Sequence, residues 1–202
     1  MTWDKIADED ALERTAKALT ENGIQVIIAD NKEAAKKKAL ELIPEGSEVM
    51  QASSVTIEQT GIEKEIDESG NYIPLRKLIR AETDETKRQE LRKHSALAQF
   101  MIGSVHAVTE DGKVLIASNS GSQIPGYAFD AQNVIWVVGT QKIVKDLDEA
   151  FKRLYEYTLP LENEHMQQLY KVNSNVSKIL IVQKEIKPDR IKLVFVKENV
   201  GF

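Results

Sequence analysis

Short apolar runs alternate along this chain with charged stretches of helical periodicity, and the alternation predicts strands separated by helices. Val134 to Val138 is the clearest run. Five consecutive apolar residues, mostly β-branched and closed by Gly139, predict a strand buried on both faces. Ile24–Ala29, Ser47–Gln51, Phe100–Val105, Ala107–Thr109, Val114–Ala117, Lys178–Gln183 and Ile191–Val196 predict further strands. Helices are expected over Met1–Asn22 (Leu12, Ala16 and Leu19 inward, Asn22-Gly23 as the stop) and from Asp30 or Asn31 to Pro44, with Ala35, Ala39 and Leu42 inward. More are expected over Ile57–Gly61, Glu82–Ala98 (Leu91, His94 and Ala98 on one face), Asp146–Tyr157 and Glu162–Tyr170, with Leu159-Pro160-Leu161 as a break between the last two.

The turns between these segments suggest how they connect. Glu110-Asp111-Gly112-Lys113 carries the Asp-Gly hairpin signal, so Ala107–Thr109 and Val114–Ala117 are expected to pair antiparallel. Ser118 to Gln123 then leads through a short helical stretch into Val134–Val138, an order that reads as a strand–helix–strand crossover. Lys187-Pro188-Asp189 is short enough to make the last two strands antiparallel neighbours. Ser69-Gly70-Asn71 marks a turn, with Tyr72–Pro74 briefly extended. There is no repeat, low-complexity tract or linker, so residues 1–202 are expected to form a single α/β domain.

Composition narrows the function classes. With 27 Lys and Arg against 32 Asp and Glu the net charge is −5, which argues against a general nucleic-acid binder but leaves room for a local cationic pocket. The chain has no cysteine, so disulfides, thiol catalysis and iron–sulfur ligation by its own residues are ruled out. His94, His106 and His165 lack the spacing of a metal site. No apolar run reaches the length of a membrane span and the N-terminus lacks the form of a signal peptide, so the expectation is cytoplasmic. Lys36-Lys37-Lys38 reads as a solvated helix face.

Candidate chemistry gathers after predicted strands. Ser118, Asn119, Ser120, Gly121, Ser122 and Gln123 offer hydroxyls, amides and backbone N–H groups suited to a phosphate or carboxylate. Ser53, Ser54 and Thr56 follow another strand, and their serines read first as helix caps and second as anion ligands. Gly139 and Lys142 end the buried strand, the place where open α/β sheets receive ligands; a surface lysine is the alternative for Lys142. Glycine-rich nucleotide loops and Gly-x-Ser-x-Gly are both absent. Of the acid–base types, Glu58, Glu110, Asp111 and His94 are the loosely placed candidates, and His94 reads better as a residue flanking the core.

Val105-His106-Ala107-Val108-Thr109-Glu110-Asp111-Gly112 resembles the A-[IV]-T-E-D-G hairpin of the LUD (lactate-utilisation, formerly DUF162) domain family. Ser120-Gly121, Pro125–Ala128, Val134–Gly139 and Lys142-Ile143-Val144 are similar to its G-N/S-x … V-I-V-V-V-G-x-x-K-I-V block. Ser53–Glu58 with Gly61, and Val200-Gly201-Phe202, resemble two further segments. The resemblance runs from about Ile24 to the end. It implies the fold of ribose-5-phosphate isomerase, glucosamine-6-phosphate deaminase and CoA-transferases: three layers, a mostly parallel sheet flanked by helices, with antiparallel hairpin additions and the ligand at strand ends. In that superfamily the turn after the second strand holds a phosphate or CoA group, which favours the anion role for Ser53–Thr56.

The same resemblance implies participation in lactate oxidation beside separate iron–sulfur subunits. Some relatives carry a cysteine cluster where this chain has Leu161–Ser177, so the chain cannot hold that cluster itself, and Glu58 lies in helical sequence rather than in the glycine-flanked turn of the CoA-transferase nucleophile. Three functions follow as expectations. The first is a protein that binds an anionic metabolite or nucleotide-like ligand in organic-acid utilisation. The second is an enzyme acting on a sugar phosphate or CoA ester, and the third a non-catalytic subunit of an oxidoreductase. A homo-oligomer is compatible with each, with Trp136 and Phe202 as core or interface residues.

Overall fold

The computed structural model describes residues 3–202. Its helices and strands follow in the order α1 (Glu9–Glu21), β1 (Gln25–Ala29), α2 (Lys32–Glu41), β2 (Glu48–Gln51), α3 (Val55–Gln59), α4 (Ile62–Glu68), β3 (Ile73–Pro74), α5 (Leu75–Ala81), α6 (Glu85–Ala96), β4 (Phe100–Gly103), β5 (Ala107–Thr109), β6 (Val114–Ser118), β7 (Asn133–Gly139), β8 (Ile143–Val144), α7 (Leu147–Arg153), α8 (Leu159–Tyr170), β9 (Lys178–Val182) and β10 (Ile191–Val196). The α/β class with a mostly parallel sheet flanked by helices is as expected. Local chemistry sets several boundaries. Asp8 caps α1 by accepting from Ala11 N–H at 2.7 Å, so the helix starts later than its sequence pattern suggests; Met1 and Thr2 lie outside the described residues. Asn31, not Asp30, caps α2.

Six strands form a parallel sheet in the order β1-β10-β7-β4-β2-β3. β7 lies inside it, and Val134 to Val138 are fully buried, as a strand covered on both faces must be. Its side chains alternate between two cores. Val134, Trp136 and Val138 face the layer containing Leu12 and Leu19, and Ile135 and Val137 face the layer of Ala35, Ala39, Ile57 and Ile66. Trp136 is therefore a core residue, with the Tyr127 ring edge-on at 5.6 Å.

A second sheet, β8-β5-β6-β9, holds the predicted hairpin of β5 and β6. Two expected connections are corrected by it. β6 and β7 are not parallel neighbours in one sheet: β6 stays with β5 and β9, and the Ser118–Gln123 loop crosses from the small sheet to the large one. Likewise β9 and β10 do not pair with each other. β9 runs antiparallel to β6, and β10 inserts parallel between β1 and β7. Local apolarity identifies strands but not partners. β10 is buried throughout and needs a central slot, whereas Lys178 and Ile179 of β9 are exposed and suit an edge.

A third correction concerns the break at Pro160. A π-helical turn, Leu154–Thr158, joins α7 to α8 without interruption. The wider turn shifts the hydrogen-bond pattern just where proline lacks an N–H, and Pro160 occupies the first turn of α8, where it is tolerated. Another π turn, Gly126–Asp130, precedes β7. Arg190 fastens it from beneath, donating to the carbonyls of Gly126, Tyr127 and Ala131 at 2.9–3.1 Å and pairing with Glu185. Among the described residues, no helix is long and apolar enough to cross a membrane.

Candidate functional site

Parallel strands that end together leave an open edge, and here β2, β4 and β7 end side by side. The chain leaves β4 through Ser104, Val105 and His106 to reach β5, and leaves β7 through a short 3₁₀ turn, Thr140–Lys142, to reach β8. The crossing segments carry polar residues between the two sheets, and a cleft of about 380 Å³ opens there. That volume lies at the small end of the range for metabolite sites.

Ser53, Ser54, Thr56, Ser118, Asn119, Ser120, Ser122, Gln123 and Lys142 all line the cleft. Gly121 and Gly139 are not among the lining residues. Gly121 holds φ at +87° in the loop, with the Lys178 side chain packed where a Cβ would stand. A Cβ on Gly139 would overlap the Gln141 amide and lie 2.9 Å from the Glu198 carbonyl oxygen, so both glycines shape the backbone. The loose acid–base candidates stay outside as well. His94 faces Glu48, Glu110 pairs with Arg14, Asp111 with Lys113, and Glu58 is exposed on α3.

Lys142 is 2% exposed. Its Nζ donates to Thr56 Oγ1 at 3.0 Å and to Ser104 Oγ and the Val105 carbonyl at 3.2 Å. No carboxylate accompanies it. Burial first, and then the nearby Arg153 guanidinium, hold its pKa well below the ordinary lysine range. Thr56 is aimed at the amine by the chain's end: Gln141 Nε2 donates to the Val200 carbonyl at 2.9 Å, and Gly201 passes so close that a Cβ there would overlap Thr56 Oγ1.

Arg153 is fully buried at the end of α7 and donates from one Nη to the His106 carbonyl and to Thr158 Oγ1, while Nε and the other Nη have no partner. Burial lowers its pKa to about 10. His106 accepts the Ala117 N–H at Nδ1, so the neutral ring carries its proton on Nε2. Burial, Lys142 and Arg153 together push its pKa down to about 3.

In the loop, Ser118 and Gln123 are used internally. Ser118 Oγ donates to Gln123 Oε1 and accepts from Gly121 N–H, while Gln123 Nε2 reaches the Ala117 carbonyl. Ser120, Ser122 and Asn119 are exposed, with Ser120 Oγ donating to Ser122 Oγ and Asn119 Oδ1 accepting from Ser177 Oγ. On the opposite rim Arg76, on α5, donates to Ser53 Oγ at 3.0 Å and pairs with Glu63. Ser54 stands at the start of α3 without making a side-chain cap bond, so the cap role considered for it is not the one it fills.

Sequence reasoning passed over Arg76, Tyr127, Glu162 and Phe202 as cleft residues, and treated His106 as a residue on a sheet face. Their only local signal was position: Tyr127 lies inside the block resembling the family motif, and Glu162 follows the proline taken for a helix break. Tyr127 is 1% exposed and its hydroxyl has no partner, its titration pushed upward by burial. The hydroxyl fits only because residue 103 is glycine. Gly103→Ala would place a Cβ into it and 2.8 Å from Ala52 Cβ. Urea unfolding should show a loss of about 1–3 kcal/mol, the usual cost of overpacking; unchanged stability would mean that the Tyr127 ring swings aside freely.

Among the described residues no cluster of His, Asp and Glu could hold a metal ion.

The LUD domain family model matches residues 12–196. Among solved structures, a DUF162 family protein from Deinococcus radiodurans is similar in fold, with a TM-score of 0.59 over 95% of this chain and 99% of that one at 9% identity. No curated protein matches.

Proposed function

The chain belongs to the LUD domain family, and from that premise we propose that its cleft binds a small organic anion, a carboxylate or phosphate ester, in the utilisation of lactate or a related acid. One observation carries the reading: Lys142 and Arg153 are buried together beside the cleft without a carboxylate between them. Buried cations are almost always paired, because leaving water without a counter-charge is costly. An anion entering the cleft would supply the missing charge. The His106 Nε2–H, the Ser122 hydroxyl, which accepts from Ser120 Oγ and keeps its own proton to donate, and Arg76 at the rim add donors of the matching sign. In this reading the chain works as one unit, since the site draws on both sheets. The volume favours a small acid or sugar phosphate over the whole of a CoA ester.

The test is a thermal-shift series with lactate, pyruvate, inorganic phosphate, sugar phosphates, nucleotides and CoA esters. At one hundred times its dissociation constant a ligand adds about 2.7 kcal/mol of apparent stability. We expect a shift from at least one small anion that weakens in Ser120→Ala. No shift from any of them would sink the reading. A second reading, a non-catalytic subunit that docks on an iron–sulfur oxidoreductase, draws on Leu169, Tyr170 and Val172, exposed together at the end of α8. Co-purification with such a complex that is lost in Tyr170→Glu would favour it.

A further inference from the structure

Among the described residues, Glu162 is the acidic side chain that lines the cleft. It arrives there because of the π turn. Leu154, Thr158, Glu162 and Met166 all face the cleft at four-residue intervals. In a plain α-helix each such step drifts by about 40° around the axis, so a face sustained over three steps would slide away from the site. The wider turn at Leu154–Thr158 absorbs part of that drift and sets the first turns of α8 against the opening. Inserted turns of this kind recur at functional sites. Here the turn also places Thr158 where it accepts from Arg153 at 2.9 Å.

Glu162 shares the cleft lining or its own helix with a set of donor residues. Lys142 and His106 stand on the segments crossing between the sheets, Arg76 on the α5 rim, and His165 on its own helix. No ion pair fixes the carboxylate to any of them within 4 Å, as one would in a structural role. Burial raises its pKa, His165 opposing, which moves it toward the range where a carboxyl both takes and returns a proton.

We propose that Glu162 is an acid–base residue and that the cleft catalyses proton transfer at a carbon next to the carbonyl of its anionic ligand. The inference rests on the anion-binding reading above and adds a reaction to it. The Glu162 carboxylate removes the proton; the C–H electron pair moves into the adjacent C–C bond and the carbonyl π pair moves onto oxygen, giving an enolate. The His106 Nε2–H is the donor that meets that oxygen, and the ligand's carboxylate or phosphate is left to Arg76 and the serine loop. Glu162 returns the proton to the same carbon or to its neighbour. No electron acceptor is needed, because the carbon skeleton is only isomerised or re-protonated.

Hydrogen–deuterium exchange tests this without knowledge of the product. Pyruvate, a carboxylate, and dihydroxyacetone phosphate, a phosphate ester, are incubated with the protein in deuterium oxide, and the loss of their C–H signals is followed by proton NMR. We expect exchange above the buffer rate for whichever probe raises the melting temperature. That exchange should fall by about 100-fold or more in Glu162→Gln, which keeps the thermal shift, and return in part in Glu162→Asp. A probe that shifts the melting temperature but does not exchange would overturn the proton-transfer proposal and leave anion binding standing. Exchange that survives in Glu162→Gln would overturn the assignment of the residue. If neither probe shifts the melting temperature or exchanges, this proposal falls, and the wider thermal-shift series decides the anion-binding reading separately.

Discussion

Acidification from pH 6.5 toward 3 should remove about 3–4 kcal/mol of stability from the wild-type protein that His106→Asn retains. In the fold, His106 Nδ1 accepts the Ala117 N–H, and Lys142 and Arg153 face the ring. A second proton would set N–H against N–H and add a third cation where none has a counter-charge. Its pKa is therefore about 3 in the folded state against an ordinary value of 6.5. Between these values the unfolded chain binds the extra proton, so stability falls as the pH falls through this window and is fully lost below it. A full shift of this size corresponds to about 5 kcal/mol, reduced here because the residue is only half-buried. Asparagine keeps an acceptor near the Nδ1 position and has nothing to titrate. Urea unfolding at a series of pH values checks the prediction, the wild-type-minus-variant difference separating His106 from the surface carboxylates. A flat difference across the window would show that the ring opens to solvent on protonation.

Lys142→Met should separate stability from function. The pKa of Lys142 is depressed in the fold, so above its folded value the unfolded chain holds a proton that the folded chain has given up. That penalty is relieved as the pH rises toward the ordinary lysine value of 10.5. Methionine has similar length and removes the penalty, but it leaves the Val105 carbonyl without its donor, a cost of about 1–3 kcal/mol. Replacing buried charge by apolar volume commonly recovers a similar amount. Net stability near neutral pH should thus stay within about 1 kcal/mol of wild type, and any advantage of the variant should shrink in alkali. Anion affinity should drop by about 2–4 kcal/mol, roughly 30- to 1,000-fold, because the ligand loses a buried charged donor. Calorimetric titration beside urea unfolding measures both. A variant that binds anions as tightly as wild type would remove Lys142 from the site. One that loses more than about 3 kcal/mol of stability would make it a structural residue instead.

Much of the cleft was legible because its residues follow strands. Ser53, Ser54 and Thr56 after β2, Ser118–Gln123 after β6 and Lys142 after β7 are polar residues at the ends of apolar runs, and in parallel sheets such ends converge. The acid–base candidates were not legible in the same way. Glu58, Glu110, Asp111 and His94 were chosen for chemical type, and nothing local says whether a carboxylate on a loop or helix points to solvent. Each of them does, or is held by a neighbouring charge. Glu162 was overlooked because Pro160 reads as a helix break, and only a wider turn lets the helix pass through it.

Residue patterning fixes what depends on neighbours in the chain: the identity of nearly every strand, the Asp-Gly hairpin, a cap for α2 at Asp30 or Asn31 and the double burial of Val134–Val138. Pairing does not depend on neighbours in the chain. Whether β10 lies beside β9 or between β1 and β7 is settled by which face and edge each strand must bury once the whole core forms, a competition among segments far apart in sequence. The electrostatics of the site belong to the same level. Lys142, Arg153 and His106 are ordinary residues of an acidic chain until two sheets and a bulged helix close around them and, by burying them, lower their pKa values.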